Sequence, residues 1–90
     1  MSSLPPGLVV LSREGCGLCH DMLEALAELE RDRTIPAVRI VDVDSDPELQ
    51  RQFGLKVPVL LLDGSVVCHY TLNSKELLRL VARSPAIIAR

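Results

Sequence analysis

The feature that most restricts how this chain can fold is a short apolar run near its start. Residues 8–12 have the sequence Leu-Val-Val-Leu-Ser and follow a Pro-Pro-Gly segment. A continuous apolar run of this length is typical of a strand buried on both faces, as in a sheet with parallel neighbours. In residues 17–33, apolar side chains recur at steps of three and four while charged residues fill the opposite side, which predicts an amphipathic helix. A buried strand followed by such a helix favours an α/β domain.

The rest of the chain continues this alternation of strand and helix patterns. The further predicted elements are a strand over 37–43, a helix over 46–53, a hairpin of strands over 57–62 and 65–70, and a last helix that begins at 73 or 74 and is broken at 84–85. Asp46 and Pro47 suit the N-cap and first position of the short helix, and Asp63-Gly64 suits the hairpin turn. Since strands joined through a helix run parallel, we predict one domain over residues 1–90, with the order β-α-β-α-β-β-α and a four-stranded mixed sheet flanked by helices.

Charge and hydropathy exclude several classes of partner. Ten Lys and Arg against twelve Asp and Glu give a formal charge of −2, and the basic residues form no run, so we expect no nucleic-acid partner. No stretch approaches the roughly 20 apolar residues that span a bilayer, so we expect no membrane association, and the first residues lack the basic and apolar regions of a signal peptide. We therefore expect a cytoplasmic protein, where a close cysteine pair is more often catalytic or metal-binding than structural.

Residues 16–20, with the sequence Cys-Gly-Leu-Cys-His, match two chemistries. One is the C-x-x-C dithiol of thiol–disulfide oxidoreductases, and the other is the C-x-x-C-H motif to which a c-type haem is attached. The haem interpretation needs a second axial ligand and a mostly helical, exported chain, whereas this sequence has many strand patterns, no export signal and only two methionines, Met1 and Met22. The sequence therefore disfavours haem, and His20 is predicted to be a partly exposed residue in the first turn of the helix.

Two arrangements of metal-ligating residues are incomplete. A zinc site would draw on four residues: Cys16, Cys19, Cys68 and His69. Tetrahedral zinc sites pair two closely spaced couples, but adjacent residues on a strand point to opposite faces, so Cys68 and His69 do not both reach one metal. Residues 42–46, Asp-Val-Asp-Ser-Asp, resemble the start of a calcium loop, yet Pro47 and Phe53 occupy the positions that need Gly and Glu. We predict a strand end followed by a capped helix there, and no metal site.

The dithiol interpretation agrees with the predicted elements. Cys16 would begin the first helix, where free N–H groups and the helix dipole favour a thiolate. Cys19 lies one turn deeper, within bonding reach of Cys16 but more shielded, which suits a resolving thiol. Arg13 could add a positive charge nearby. Gly15 and Gly17 leave little bulk around the Cys16 sulfur, so a protein or peptide disulfide can approach it.

Three features together resemble the thioredoxin-fold oxidoreductases, most closely the small bacterial glutaredoxin-like proteins. They are the junction over 12–19, Ser-Arg-Glu-Gly-Cys-Gly-Leu-Cys, the Val57-Pro58 pair before the third strand, and the order of elements. The resemblance covers nearly the whole chain. It implies a thiol–disulfide oxidoreductase in which Cys16 attacks a disulfide and Cys19 resolves the mixed disulfide, without a metal or prosthetic group. It also implies a cis Val57-Pro58 bond and a Val57 main chain that pairs with an extended substrate.

The resemblance implies that the substrate is held by five residues: Arg13, Gly17, Leu18, Val57 and Pro58. Arg13 matches a basic residue that glutaredoxins place three positions before the first cysteine, where it could hold a carboxylate of glutathione. The sequence differs from the glutaredoxin pattern at two places that bear on glutathione binding. Gly17-Leu18 replaces the usual Pro-Tyr, and residues 70–73 lack the usual Gly-Gly pair. We therefore expect a monomer that acts on a disulfide-containing protein or peptide, with glutathione as a candidate co-substrate.

The sequence leaves two other functions open. One is a non-enzymatic module that keeps the fold and binds a partner at the Val57 edge, and the other is a metal-binding protein that uses the dithiol. The third cysteine, Cys68, is predicted to be a small core residue, and Tyr70 is predicted to border the active-site cleft.

Overall fold

The computed structural model describes residues 4–83 as an α/β structure. The elements are β1 (Leu8–Ser12), α1 (Gly17–Arg31), β2 (Val38–Asp42), a 3-10 turn (Val43–Ser45), α2 (Pro47–Phe53), β3 (Val59–Leu62), β4 (Ser65–His69) and α3 (Ser74–Arg83). The predicted order of strands and helices is confirmed. The predicted helix break at 84–85 lies outside the described residues.

Four elements have bounds that differ from the prediction, each for a local reason. α1 ends two residues early, because Arg33 has a left-handed backbone, with φ of 58°, that a helix cannot continue. β2 is one residue shorter at each end, and a 3-10 turn follows it, with Asp42 Oδ1 accepting the Asp44 N–H at 2.9 Å. β3 begins two residues late, because Pro58 has no N–H to donate to the sheet. β4 ends before Tyr70, whose φ of 67° is also left-handed.

The sheet is mixed, with the strand order β2-β1-β3-β4. β1 lies parallel to β2 and antiparallel to β3, and β3 lies antiparallel to β4. Near one end of the sheet, Leu11 of β1 pairs with Val59 of β3, which in turn pairs with His69 of β4. The residues that follow β1, precede β3 and follow β4 therefore meet at this end, which we call the Cys16 end because Cys16 follows β1.

Two apolar clusters hold the helices against the sheet, one on each face. Since side chains alternate along a strand, Val10 and Leu60 enter the larger cluster, whereas Leu11 and Val59 enter the smaller one. The larger cluster also contains four helix residues: Met22 and Leu26 from α1, and Leu77 and Val81 from α3. The smaller cluster contains Leu49 of α2. β1 is buried on both faces, as predicted, because helices cover both sides of the sheet.

The predicted helix caps form at the start of α2 and α3. Asp46 Oδ1 accepts the Glu48 N–H at 2.8 Å, and Asn73 Oδ1 accepts the Glu76 N–H at 3.1 Å. Each bond satisfies a donor that a helix leaves free in its first turn. Cys68 of β4 is half-buried and packs against the larger cluster.

Candidate active site

Cys16 lies in the loop between β1 and α1 and is the N-cap residue of α1. Its Sγ accepts the N–H of Cys19 at 3.2 Å, which satisfies one of the free donors at the start of the helix. Gly15, with φ of 82°, lets the loop turn where a side chain would be strained. The Cys16 N–H donates to the Arg13 carbonyl at 3.2 Å and closes this turn. The half-exposed Cys16 therefore holds its sulfur at a helix N-terminus, where negative charge is favoured.

Cys19 lies in the first turn of α1 and is only 2% exposed. Burial raises the pKa of its thiol, and a hydrogen bond with the Cys16 side chain acts in the same direction. Hydrogen bonds with the Arg13 main chain and the Ser12 side chain lower that pKa, but burial is the largest cause. The pair is therefore asymmetric, with a buried Cys19 thiol beside a more accessible Cys16 sulfur. Sequence reasoning missed Ser12, because its position at the end of a strand does not show which sulfur its hydroxyl meets.

Arg13 connects the loop before Cys16 to the segment that follows β2. Its Nε donates to Asp44 Oδ2 and its Nη2 donates to Asp44 Oδ1, both at 2.8 Å, while Nη1 donates to the Gly54 carbonyl at 2.9 Å. Gln50 Nε2 also donates to Asp44 Oδ1, at 3.0 Å. The hydrogen bond between Arg13 and Asp44 is the main cause that lowers the pKa of the carboxyl group and raises that of the guanidinium. All three guanidinium nitrogens are thus bonded within the chain.

Val57 and Pro58 lie immediately before β3, at the Cys16 end of the sheet. The peptide bond between them is cis. Pro58 is buried, and its carbonyl accepts the Tyr70 N–H at 2.8 Å. Within residues 4–83, no backbone hydrogen bond engages the Val57 N–H or carbonyl. The Val57 main chain therefore has a donor and an acceptor left for a partner.

Gly17 and Leu18 lie between the two cysteines, in the first turn of α1. Leu18 is 45% exposed, and a Cβ at Gly17 would have no atom within 4 Å. The surface beside Cys16 is therefore open. The structure brings Arg13, Cys16, Gly17, Leu18 and Cys19 together at the junction of β1 and α1, and it places Val57 and Pro58 at the same end of the sheet.

A family model supports this arrangement. The model for the glutaredoxin-like domain (DUF836) matches residues 7–82, a range that includes both cysteines and the Val57-Pro58 pair. This chain belongs to the glutaredoxin-like domain family. The resemblance drawn from the sequence motifs is therefore confirmed at the level of the family.

The glutaredoxin-like domain is similar to other proteins over most of its length. Uncharacterised proteins of Mycobacterium tuberculosis and Mycobacterium bovis are each 34% identical to it over 84 residues, which is 88% of this chain and 86% of the relative. Among solved structures, a Nitrosomonas europaea protein studied by solution NMR is 30% identical with a TM-score of 0.73, covering 89% of this chain and 96% of that one. An X-ray structure from X. campestris is 28% identical with a TM-score of 0.67, covering 88% and 100%. These neighbours confirm the thioredoxin-like fold.

The other patterns in the sequence form no site with the dithiol within the described residues. His20 is on the exposed side of α1, with its Nε2 at 3.2 Å from a carboxylate oxygen of Glu24, as expected for a surface residue of the first turn. Across residues 4–83, no group of three or more His, Cys, Asp or Glu side chains is placed to hold a metal ion. In that same part of the chain, no helix is both long enough and apolar enough to cross a membrane.

Replacing Asp44 with Asn should change how the stability of this glutaredoxin-like domain depends on pH. Because the folded-state pKa of Asp44 is lowered, its ion pair with Arg13 stabilises the fold above the unfolded-state pKa of about 4. That stability is lost as the pH falls through the folded-state pKa, where Asp44 becomes protonated. We expect the urea midpoint of Asp44→Asn to lie below that of the wild type at pH 7, and the two midpoints to converge at low pH.

Asp21→Asn is the matched control, since Asp21 lies on the exposed side of α1 and the substitution removes the same charge. We expect its urea midpoint to follow the wild type across the pH range. If the gap between Asp44→Asn and the wild type stays constant down to pH 2, the Arg13–Asp44 ion pair does not stabilise the fold as described.

Proposed function

We propose that this protein is a thiol–disulfide oxidoreductase that acts through Cys16 and Cys19. The observation that carries the proposal is the asymmetry of the pair, in which an accessible sulfur at the N-cap of α1 lies beside a buried thiol. A dithiol enzyme needs one accessible sulfur that attacks the substrate as a thiolate. It also needs a second sulfur that stays protonated until the mixed disulfide has formed. Membership of the glutaredoxin-like family supports this chemistry.

The proposed reaction transfers two electrons and two protons to a substrate disulfide. The Cys16 thiolate attacks one substrate sulfur, forms a mixed disulfide, and releases the other substrate sulfur as a thiolate that takes a proton from water. Cys19 then loses its proton to solvent and attacks Cys16 Sγ, which releases the second substrate thiol. The products are a reduced substrate and an internal Cys16–Cys19 disulfide. A cellular dithiol or two molecules of glutathione, each supplying one electron and one proton, would reopen that disulfide.

The substrate we propose is a disulfide-containing protein or peptide bound in extended form. The main chain of Val57, which forms no backbone hydrogen bond within residues 4–83, can bond to such a segment as a neighbouring strand would, beside the open surface at Gly17 and Leu18. We propose that the protein works as a monomer in the cytoplasm, and that neither a metal ion nor a prosthetic group takes part.

Arg13 has a different proposed role from that of a glutathione ligand. Three of its five N–H groups already donate to Asp44 and Gly54, and the Asp44 carboxylate offsets the charge that would attract a carboxylate of glutathione. We propose that Arg13 positions the loop that carries Cys16, and that glutathione acts as a reductant rather than as a ligand of Arg13.

A redox titration tests the proposed function. A Cys68→Ala variant would be equilibrated in glutathione buffers of stepped potential, its free thiols alkylated at low pH, and its intact mass measured. We expect Cys16 and Cys19 to pass together into an internal disulfide at one definable potential. Cys68→Ala is the suitable background because it leaves only the two thiols of the dithiol to react.

Two other outcomes would contradict the dithiol mechanism. A single glutathione adduct that accumulates on Cys16 would show monothiol chemistry linked to glutathione. If neither the internal disulfide nor an adduct forms at any potential, the protein is better described as a binding module that keeps the fold without the reaction.

A further inference from the structure

Tyr70 has an unusual backbone for a large side chain. Its φ is 67°, in the left-handed region that favours glycine and that bulky residues rarely adopt. Its N–H donates to the Pro58 carbonyl at 2.8 Å, and the next residue, Thr71, donates back to the His69 carbonyl at 2.7 Å. These bonds hold the turn at the end of β4. Glycine would meet the same backbone requirement without strain, so the aromatic ring needs a separate explanation.

Packing in the core does not account for an aromatic side chain at position 70. Tyr70 is 47% exposed and belongs to neither apolar cluster. Its hydroxyl donates to the carbonyl of Leu55 at 3.4 Å, and Leu55 is itself 94% exposed. Two large exposed side chains, Leu55 and Tyr70, therefore lie in loops that this hydrogen bond joins at the Cys16 end. Strained backbone of this kind clusters at active sites and ligand clamps, which makes Tyr70 a candidate contact for a ligand.

The position of Tyr70 relative to the dithiol follows from the sheet. Tyr70 follows β4, Val57 and Pro58 precede β3, and Cys16 follows β1, and these three strands are neighbours. Since adjacent strands lie about 4.8 Å apart, the end of β4 is roughly 10 Å from the end of β1. A peptide that bonds to Val57 and presents a sulfur to Cys16 would therefore bring its neighbouring side chains towards Tyr70 and Leu55.

The charges at this end of the sheet favour an apolar peptide. Leu18, Leu55 and Tyr70 expose apolar surface there, whereas the Arg13 guanidinium is bonded to Asp44 and Gly54. Lys56, between Leu55 and Val57, is the nearest cation along the chain to the proposed binding edge. A small substrate with two carboxylates could pair with only one lysine in residues 55–57. A polypeptide with a bulky apolar residue could instead pack against the exposed apolar surface.

We propose that Tyr70 is a specificity-determining residue which, together with Leu55, contacts a bulky apolar side chain next to the disulfide cysteine of a polypeptide substrate. The proposal deepens the function given above and rests on it, because it requires the substrate to bind in extended form along Val57. Glycine at this position would relieve the strain but would remove the contact surface.

The experiment compares two peptide disulfides that differ in one residue, Leu or Ser, beside the cysteine. With the wild type, kcat/KM should be higher for the Leu peptide. In Tyr70→Gly, kcat/KM for the Leu peptide should fall about 10-fold, while kcat/KM for the Ser peptide should change less than about 2-fold. Tyr70→Phe keeps the ring and should retain the preference. The melting temperature of Tyr70→Gly should stay within about 4 °C of the wild type, since strain is relieved as the ring is lost.

Arg33→Gly is the matched control. Arg33 also has a left-handed backbone, with φ of 58°, but it follows the far end of α1, whose 15 residues place it about 22 Å from Cys16. Its substitution should raise the melting temperature and leave kcat/KM for both peptides unchanged.

Each remaining outcome counts against the proposal in a distinguishable way. If Tyr70→Gly loses activity equally on both peptides, or keeps the preference of the wild type, Tyr70 does not determine specificity even though the protein is an oxidoreductase. If the wild type exchanges with both peptides but shows no preference for Leu, the apolar contact is absent. If the wild type exchanges with neither peptide, the proposed function fails and the role of Tyr70 fails with it.

Discussion

Replacing Cys16 with Ser should lower the rate of disulfide exchange by at least about 10³-fold, because the attacking sulfur is the one group that the reaction cannot replace. The fold should be retained. Ser is among the residues preferred at an N-cap, and its hydroxyl can accept the Cys19 N–H that Cys16 Sγ now accepts at 3.2 Å. The measurement is the rate of reduction of a peptide disulfide, followed by mass spectrometry, together with the melting temperature of the variant.

Cys19→Ser and Cys68→Ser are the controls for this substitution. Cys19→Ser keeps the nucleophile but has no resolving thiol, so it should accumulate a mixed disulfide on Cys16 that persists until an external thiol attacks. Cys68→Ser should exchange at the rate of the wild type, because Cys68 packs against the larger cluster and takes no part in the reaction. Activity retained in Cys16→Ser but lost in Cys19→Ser would reverse the assigned roles of the two cysteines. Activity retained in both would contradict the dithiol mechanism.

The parts of the fold that the sequence predicts well are those with strong local signals. Residues 8–12 form β1 as predicted, because a run of apolar residues cannot lie in solvent and is too short for a helix. Asp46 and Asn73 cap α2 and α3 because their short side chains reach the free N–H groups of the first turn. The Asp63-Gly64 turn joins β3 to β4 as predicted, because both residues adopt the positive φ that this type of hairpin turn requires.

The parts that the sequence does not predict depend on residues far apart in the chain. Arg13 and Asp44 are 31 positions apart, and only the parallel pairing of β1 with β2, which aligns Ser12 with Asp42, brings them together. Before that pairing is known, residues 42–46 show only a cluster of acidic side chains. The Gly54 carbonyl is similar, since it accepts a hydrogen bond from Arg13 Nη1, which lies 41 positions away.

The candidate site was predictable for its sulfurs but not for its surroundings. A C-x-x-C at a strand-to-helix junction places Cys16 at the N-cap and Cys19 in the first turn, whatever the rest of the fold. The effect of Ser12 on the pKa of Cys19, and the left-handed backbone of Tyr70, depend instead on how strand ends meet. The positions of the two sulfurs are therefore predictable from the local sequence, whereas the surroundings of the site depend on tertiary structure.

Replacing Leu60 with Ala should destabilise the fold by about 2–5 kcal/mol, which is a large part of the roughly 5–15 kcal/mol that keeps a domain folded. Leu60 is fully buried in the central strand β3, between Val10 of β1 and Cys68 of β4. Its side chain belongs to the cluster that joins α1 and α3 to the sheet. The substitution leaves a cavity between the sheet and the two helices, and the surrounding side chains cannot move enough to fill it. The loss of stability therefore includes the cost of the cavity.

Ile40→Ala is the matched control, because Ile40 is an aliphatic residue of the same sheet but is 63% exposed on the edge strand β2. Its cost should be within about 0.5 kcal/mol. Urea unfolding measures both variants, and an unchanged m value would show that the unfolded states are comparable. Equal losses for the two variants would mean that Ile40 is not exposed to solvent as the structure has it. A large loss of stability in Leu60→Ala alone, with exchange activity unchanged at urea concentrations below the midpoint, is the expected result. It would show that the core on this face stabilises the fold without taking part in the reaction.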